Sequence, residues 1–168
     1  MDSILALMAV ANFFHLFATV AWIGGMTTNM IILLPSAKSA LDPPSMGKLM
    51  GAVMKRFRVL VYTSIVVLAI TGTVITRFNR SYTGLFQFGD LWSKMALIKH
   101  IIIVIMIIIV IIAFEGIGKK AAKLAAKGPS PEIAAIQKKQ IGLASFGFIL
   151  GIIVLALTAI MSAVSFTY

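Results

Sequence analysis

Four long apolar segments constrain this chain more than any other feature of its sequence. They run roughly from Ile4 to Leu34, Val59 to Thr76, Leu91 to Phe114 and Ile141 to Phe166. Each is near or above the roughly 20 residues that cross a bilayer as a helix. Hydrophobic residues make up 60% of the chain, and the run from Ile101 to Ile112 contains no polar side chain. The sequence therefore predicts an integral membrane protein.

The connections between these segments predict an all-α fold, an integral membrane four-helix bundle with up-down-up-down topology. Prolines cluster around 35–44 and 129–131, so the first and third connections are expected to be turns that interrupt the helices. The expected helices span about 4–34, 55–76, 91–120 and 133–166 within a single transmembrane domain, 1–168. The first segment is too long for a signal-peptide core, so we expect it to remain as a helix.

Basic residues are distributed unevenly over the connections, which predicts the orientation. Loop one carries Lys38, Lys48, Lys55, Arg56 and Arg58. Loop three carries Lys119, Lys120, Lys123, Lys127, Lys138 and Lys139. Loop two carries only Arg77, Arg80 and Lys94. The positive-inside rule places loops one and three in the cytoplasm and both termini outside, as in a multi-pass protein of the cell (plasma) membrane. The net charge of +10 then reflects topology and contact with anionic lipid, and nucleic acid is not an expected partner.

The absence of cysteine and the small number of acidic residues limit the reactions and metal sites that this chain can support. The chain has no cysteine, which excludes disulfides, thiolate metal sites and covalent haem attachment through cysteine. Asp90 and Glu115, the acidic residues near the spans, fall on opposite sides of the membrane. A carboxylate pair for acid–base hydrolysis is therefore not expected. An enzymatic activity, if present, is expected to be that of a membrane oxidoreductase.

The chain has two histidines, His15 and His100, and both fall inside apolar segments. An ionisable residue within a membrane span is by default a functional-site hypothesis. At 1.5 Å per residue, His15 lies about 16 Å along the first helix and His100 about 14 Å along the third, both measured from the outer side. The two imidazoles are therefore predicted to be level on parallel helices, as two ligands of one metal centre would be.

Haem b with two axial histidines fits this ligand count and the apolar setting. Such a centre has no open position at iron, so its expected function is one-electron transfer as a membrane b-type cytochrome. A membrane quinol (quinone) or a redox partner protein would exchange the electrons, and a homo-oligomer is left open. A cofactor-free structural subunit is the alternative in which the histidines bind no metal.

Residues around the histidines are candidates for cofactor contacts. Thr19 and Trp22 share a helical face with His15. Gly24 and Gly25, with Gly72 in the second helix, would let the backbone approach a flat ligand or another helix. A haem propionate could pair with a basic residue near the outer side, and snorkelling to lipid phosphate is the alternative for the same side chains. These basic candidates are Lys99, Arg77, Arg80 and Lys94.

The run from His15 to Met26, HLFATVAWIGGM, followed by an apolar stretch that ends at Pro35, resembles the first helix of the copper-resistance D (CopD) family. Arg56-Phe57-Arg58, Thr71-Gly72 and Leu91-Trp92-Ser93-Lys94 are similar to the same family and to the related HemJ-type protoporphyrinogen oxidases. The resemblance covers residues 12 to about 112. It implies a four-helix membrane protein that either takes part in copper uptake or tolerance, or binds haem b through intramembrane histidines.

Copper is the second metal that the sequence allows. Thioethers and imidazoles suit Cu(I), and the chain has ten methionines. Six of them lie in the spans: Met8, Met26, Met30, Met95, Met106 and Met161. Methionine is also a common filler of apolar cores, so transport of Cu(I) stays as an alternative to haem b, as does HemJ-type protoporphyrinogen oxidation.

Overall fold

The computed structural model describes residues 3–78, 91–125 and 130–167, and almost all of them are helical. They form four long helices: α1, Ser3–Ala40; α2, Pro43–Phe78; α3, residues 91–125; and α4, Pro131–Thr167. Each is long and apolar enough to cross a membrane. The all-α class and the four predicted spans are confirmed within the described residues.

Two of the helices contain π-helical turns. In α1, α-helical Ser3–Thr19 is followed by π-helical Val20–Gly24, a short α-helical turn Gly25–Thr27, π-helical Thr28–Leu33 and α-helical Leu34–Ala40. In α3, π-helical Ile112–Gly118 separates Leu91–Ile111 from Lys119–Ala125. Such turns are uncommon and are found disproportionately at functional sites.

Polar side chains bond the backbone where the π turns of α1 begin. Thr19 donates its hydroxyl hydrogen to the His15 carbonyl at 2.8 Å, just before the first π turn. Asn29 donates to the Gly25 carbonyl at 2.9 Å at the start of the second. In a π turn the backbone hydrogen bonds join residues five apart instead of four. The side chains of Thr19 and Asn29 donate hydrogen bonds to carbonyls where this change begins.

The first connection is shorter than its prolines predict. It consists of Leu41 and Asp42, because α1 continues through Pro35 to Ala40 and α2 begins at Pro43. The expected interruption at the prolines around 35–44 is therefore reduced to two residues, and α2 begins 12 residues before the expected start near 55. Pro35 follows the π turn Thr28–Leu33 by one residue and lies in the first turn of the next α-helical segment, where a proline is tolerated.

Pro43 is at the first position of α2, where its missing N–H is not needed. Asp42 precedes it as the N-cap and accepts a hydrogen bond from the Ser45 backbone N–H at 3.2 Å. Asp42-Pro43 is therefore the start signal of a helix, whereas the prolines taken alone predict a turn.

The chain forms two compact units, one built from α1 and α2 and the other from α3 and α4. In the first unit, the two-residue connection makes α1 and α2 an antiparallel pair whose buried residues are mostly small: Ala11, Ala18, Ala37, Val61, Ser64 and Thr71, with Trp22 and Ile23. In the second unit, α3 packs on α4, and its buried residues include Trp92, Ser93, Met106, Ile136 and Met161.

Replacing Asp42 with alanine should loosen the first turn of α2. The hydrogen bonds that the Ser45 hydroxyl and amide donate hold the pKa of Asp42 below its usual range. The cap is therefore ionised and stabilising at neutral pH, and its contribution is lost as the pH falls through that lowered pKa. Amide hydrogen exchange at Ser45 should be faster in Asp42→Ala at pH 7, and the difference should shrink in acid.

Asp42→Asn is the matched control, because asparagine keeps a capping oxygen without an ionisable group. Asp42→Asn should protect the Ser45 amide from hydrogen exchange at pH 7. Because asparagine does not ionise, this protection by the cap should persist in acid. Equal protection in wild type and Asp42→Ala at pH 7 would show that the cap contributes nothing.

Candidate functional site

His15 is held by a hydrogen-bond chain that crosses from α1 to α2. Its Nδ1 lies 2.8 Å from the Thr71 hydroxyl oxygen, and that hydroxyl lies 2.7 Å from the Val67 carbonyl oxygen. A carbonyl oxygen only accepts, so Thr71 donates to Val67 and accepts from His15. The imidazole therefore carries its hydrogen on Nδ1, and in the neutral ring the lone pair is on Nε2.

Gly72 allows the close approach of α2 to this ring. A Cβ atom at position 72 would lie 3.3 Å from His15 Cε1, which is tighter than an ordinary van der Waals contact. The flat group next to Gly72 in this structure is thus the imidazole itself. Thr71 is buried and His15 half-buried, so the ring is fixed on one side by the backbone and hydroxyl of α2.

Four other predicted site residues, Thr19, Trp22, Gly24 and Gly25, lie on the same helix as His15. Thr19 bonds the His15 carbonyl, as described above, and Trp22 is buried in the first unit. Gly24 has room for a side-chain carbon, since a Cβ atom there would make an ordinary van der Waals contact with Val20 at 3.9 Å.

Gly25 packs against a side chain of α2. A Cβ atom at position 25 would lie 2.6 Å from Cε2 of the Phe57 ring. In this structure Gly25 therefore provides room for an aromatic ring at the α1–α2 contact, which is the helix-packing alternative weighed for it from sequence.

His100 lies in α3, in the second unit, and its side chain is exposed. Its Nδ1 donates to the Ala96 carbonyl at 2.6 Å, one helical turn earlier, because a carbonyl can only accept. His100 thus also carries hydrogen on Nδ1, with the lone pair of the neutral ring on Nε2. The two histidines belong to different units, and their predicted sharing of one centre stays a prediction.

The basic candidates differ in their surroundings. Lys99 is half-buried on α3, whereas Arg77, near the end of α2, and Lys94, near the start of α3, are exposed. Arg80 lies outside the described residues. Among the described residues, no group of three or more His, Cys, Asp or Glu side chains is placed to hold a metal ion.

Sequence reasoning missed Thr71 as the partner of His15 and Phe57 as the partner of Gly25. The signal for Thr71 was available in the connection length. In an antiparallel pair joined by two residues, positions equidistant from the connection are level, so His15 is opposite residue 68, within one turn of Thr71. With a long first loop predicted instead, the sequence does not indicate which residue of α2 lies level with His15.

The helices and their composition define the class: an all-α, multi-pass membrane protein. A family model described as a domain of unknown function, DUF4149, matches residues 16–130, more than half of the chain. The chain therefore belongs to the DUF4149 family. No curated protein and no solved structure matches it.

Replacing Gly25 with alanine should be less favourable than the same change at Gly24. Both changes gain helix propensity of roughly 1 kcal/mol, but only the Cβ atom at position 25 meets a neighbouring ring. Gly25→Ala should therefore have a free energy of unfolding about 1–3 kcal/mol lower than Gly24→Ala, measured by titration with a denaturing detergent. When Phe57→Leu is combined with each variant, the difference between their free energies of unfolding should become smaller. Equal stability of Gly25→Ala and Gly24→Ala would show that the Phe57 ring does not restrict position 25.

Replacing Thr71 with valine should remove the acceptor for His15 while preserving the shape of the side chain. The expected cost is about 0.6–2 kcal/mol of stability, typical of a hydrogen bond between membrane helices. The ring-nitrogen NMR shifts of His15, assigned with a His100→Gln variant, should report loss of the fixed Nδ1–H tautomer.

Thr73→Val is the matched control for this experiment. The Thr73 hydroxyl donates to Ala69 within α2, at 2.8 Å, and its side chain is exposed. The control should leave the His15 shifts unchanged. A His15 spectrum that is the same in Thr71→Val and wild type would rule out the bond.

Proposed function

We propose that this protein is a membrane-embedded b-type cytochrome in which His15 and His100 would hold one haem b. The observation that carries the proposal is the polar contact at Nδ1 of each ring: His15 Nδ1 lies 2.8 Å from the Thr71 hydroxyl oxygen, and His100 Nδ1 lies 2.6 Å from the Ala96 carbonyl oxygen. Metal-ligating histidines are held in this way, because the second hydrogen bond fixes the tautomer and raises the basicity of the ligand.

The donor set also suits haem. A porphyrin supplies four nitrogen ligands of its own, so the protein has to provide only single ligating side chains in an apolar setting. His15 is surrounded on its own helix by apolar residues such as Phe14 and Phe17, both exposed at the surface of the first unit. When bound, the haem would supply a centre that accepts and releases one electron.

The residues of the chain would tune and orient that centre. The Thr71 hydroxyl holds the His15 ring plane, and Gly72 keeps the ring close to α2. Because the acceptor is a neutral hydroxyl, it polarises the imidazole less than a carboxylate would. Lys99, Lys94 and Arg77 are the described side chains proposed to pair with a propionate at the outer side.

A haem with two histidine ligands exchanges electrons and binds no substrate at iron. The proposed partners are therefore a membrane quinol and a redox protein, in the cell membrane with both termini outside. The pairing of His15 with His100 rests on their matched depth in the sequence, so each histidine has to be tested separately.

Detergent-purified protein should show a Soret band that shifts on reduction with dithionite, together with the α and β bands of six-coordinate low-spin haem b. His15→Ala and His100→Ala should each abolish or alter that spectrum, because each removes one axial ligand. Added imidazole should restore the bands in a variant that is folded but lacks a ligand.

Other outcomes separate the alternatives. A change in only one of the two variants would leave His/Met or five-coordinate haem. Colourless protein that retains stoichiometric Cu(I) would overturn the proposal in favour of copper transport of the CopD type. Colourless and metal-free protein would favour a structural subunit. Oxidation of protoporphyrinogen by the purified protein would indicate a HemJ-type enzyme.

A further inference from the structure

The end of the first unit that contains the connection between α1 and α2 is unusually basic. We call it the basic end, and it consists of Lys38, Lys48, Lys55, Arg56 and Arg58. Helix α2 has 36 residues, which is about 54 Å at 1.5 Å per residue, against a hydrocarbon core of about 30 Å. The first turns of α2 therefore extend past the core into the headgroup region.

This extension of α2 is amphipathic. Met46, Met50, Val53 and Phe57 recur at helical spacing and are half-buried. Lys48 and Lys55, seven residues apart, lie on the opposite face and are exposed, as is the neighbouring Arg56. The apolar face is thus directed inward and the basic face outward.

The protein supplies almost no negative charge at this end. Asp42 is the one acidic residue between positions 3 and 78. Its carboxylate accepts a hydrogen bond from the Ser45 backbone N–H at the N-cap of α2. The second unit differs, because there Lys119 pairs with Glu115 at 2.8 Å and Lys120 with Glu132 at 3.2 Å. Lys119 and Lys120 of the second unit therefore lie beside carboxylates.

We propose that the basic end is a binding surface for the phosphate headgroups of anionic phospholipids in the adjoining leaflet. Phosphate oxygens complement both lysine ammonium and arginine guanidinium groups. Arg58 lies 5.9 Å from the centroid of the Tyr62 ring, where a cation–π contact holds the guanidinium near the boundary of the apolar part of α2. This surface is independent of the metal proposed for His15.

The test compares lipid binding by the full-length wild-type protein with that of Lys48→Gln/Lys55→Gln. Glutamine keeps the helix propensity of lysine, and circular dichroism checks that the variant is folded. Purified protein in neutral detergent is titrated with short-chain phosphatidylglycerol, and bound lipid is counted by native mass spectrometry. Loss of two basic residues at about 1 kcal/mol each predicts about 30-fold weaker binding.

Lys119→Gln/Lys120→Gln is the matched control, with the same charge change at the paired lysines of the second unit. It should lose less phosphatidylglycerol binding than Lys48→Gln/Lys55→Gln, because a lipid phosphate would have to compete with the carboxylates that already lie 2.8 and 3.2 Å from Lys119 and Lys120. Phosphatidylcholine and inorganic phosphate at equal concentration should bind weakly to all three proteins. An equal loss in both double variants, or equal binding of the two lipids, would overturn the proposal.

Discussion

The hydrocarbon region of a membrane offers no water, so every polar group placed there has to find a partner inside the protein. Several polar side chains in the spans meet this requirement on their own helix. Thr19, Thr27, Thr73 and Thr158 each donate a hydroxyl hydrogen to the carbonyl four residues earlier. His15 is different because its ring bonds across to α2, and the partner hydroxyl is itself bonded to Val67. The requirement that fixes the helices thus also fixes the orientation of the proposed ligand.

The sequence predicted the spans because apolarity over 20 or more residues is set by the chain itself. It did not predict the helix ends at the first connection, because Pro35 and Pro43 are compatible with a helix at the positions where they stand. What decides between turn and helix there is the π turn before Pro35 and the cap at Asp42. Both are local features whose effect depends on the register of neighbouring carbonyls.

For the candidate site, the sequence predicts the residues but not their contacts. His15 and His100 are conspicuous as the only histidines of an apolar chain, and Gly72 was noted as a place for close approach. That Gly72 adjoins the imidazole, and that Gly25 adjoins Phe57, follows from packing between helices and is not encoded in the spacing along either one. The pattern of small residues therefore indicated contact surfaces without indicating what each surface contacts.

The two-residue link between α1 and α2 has a consequence for how the protein is made. Chains fold from the N-terminus as they are synthesised, and contacts that are local in sequence form fastest. His15, Thr71 and Gly72 all lie in the first helix pair, so the orientation of the imidazole can be set while α3 and α4 are still to be translated. The first half of the chain thus contains the hydrogen bond with Thr71 and the close approach of Gly72 that orient this ring.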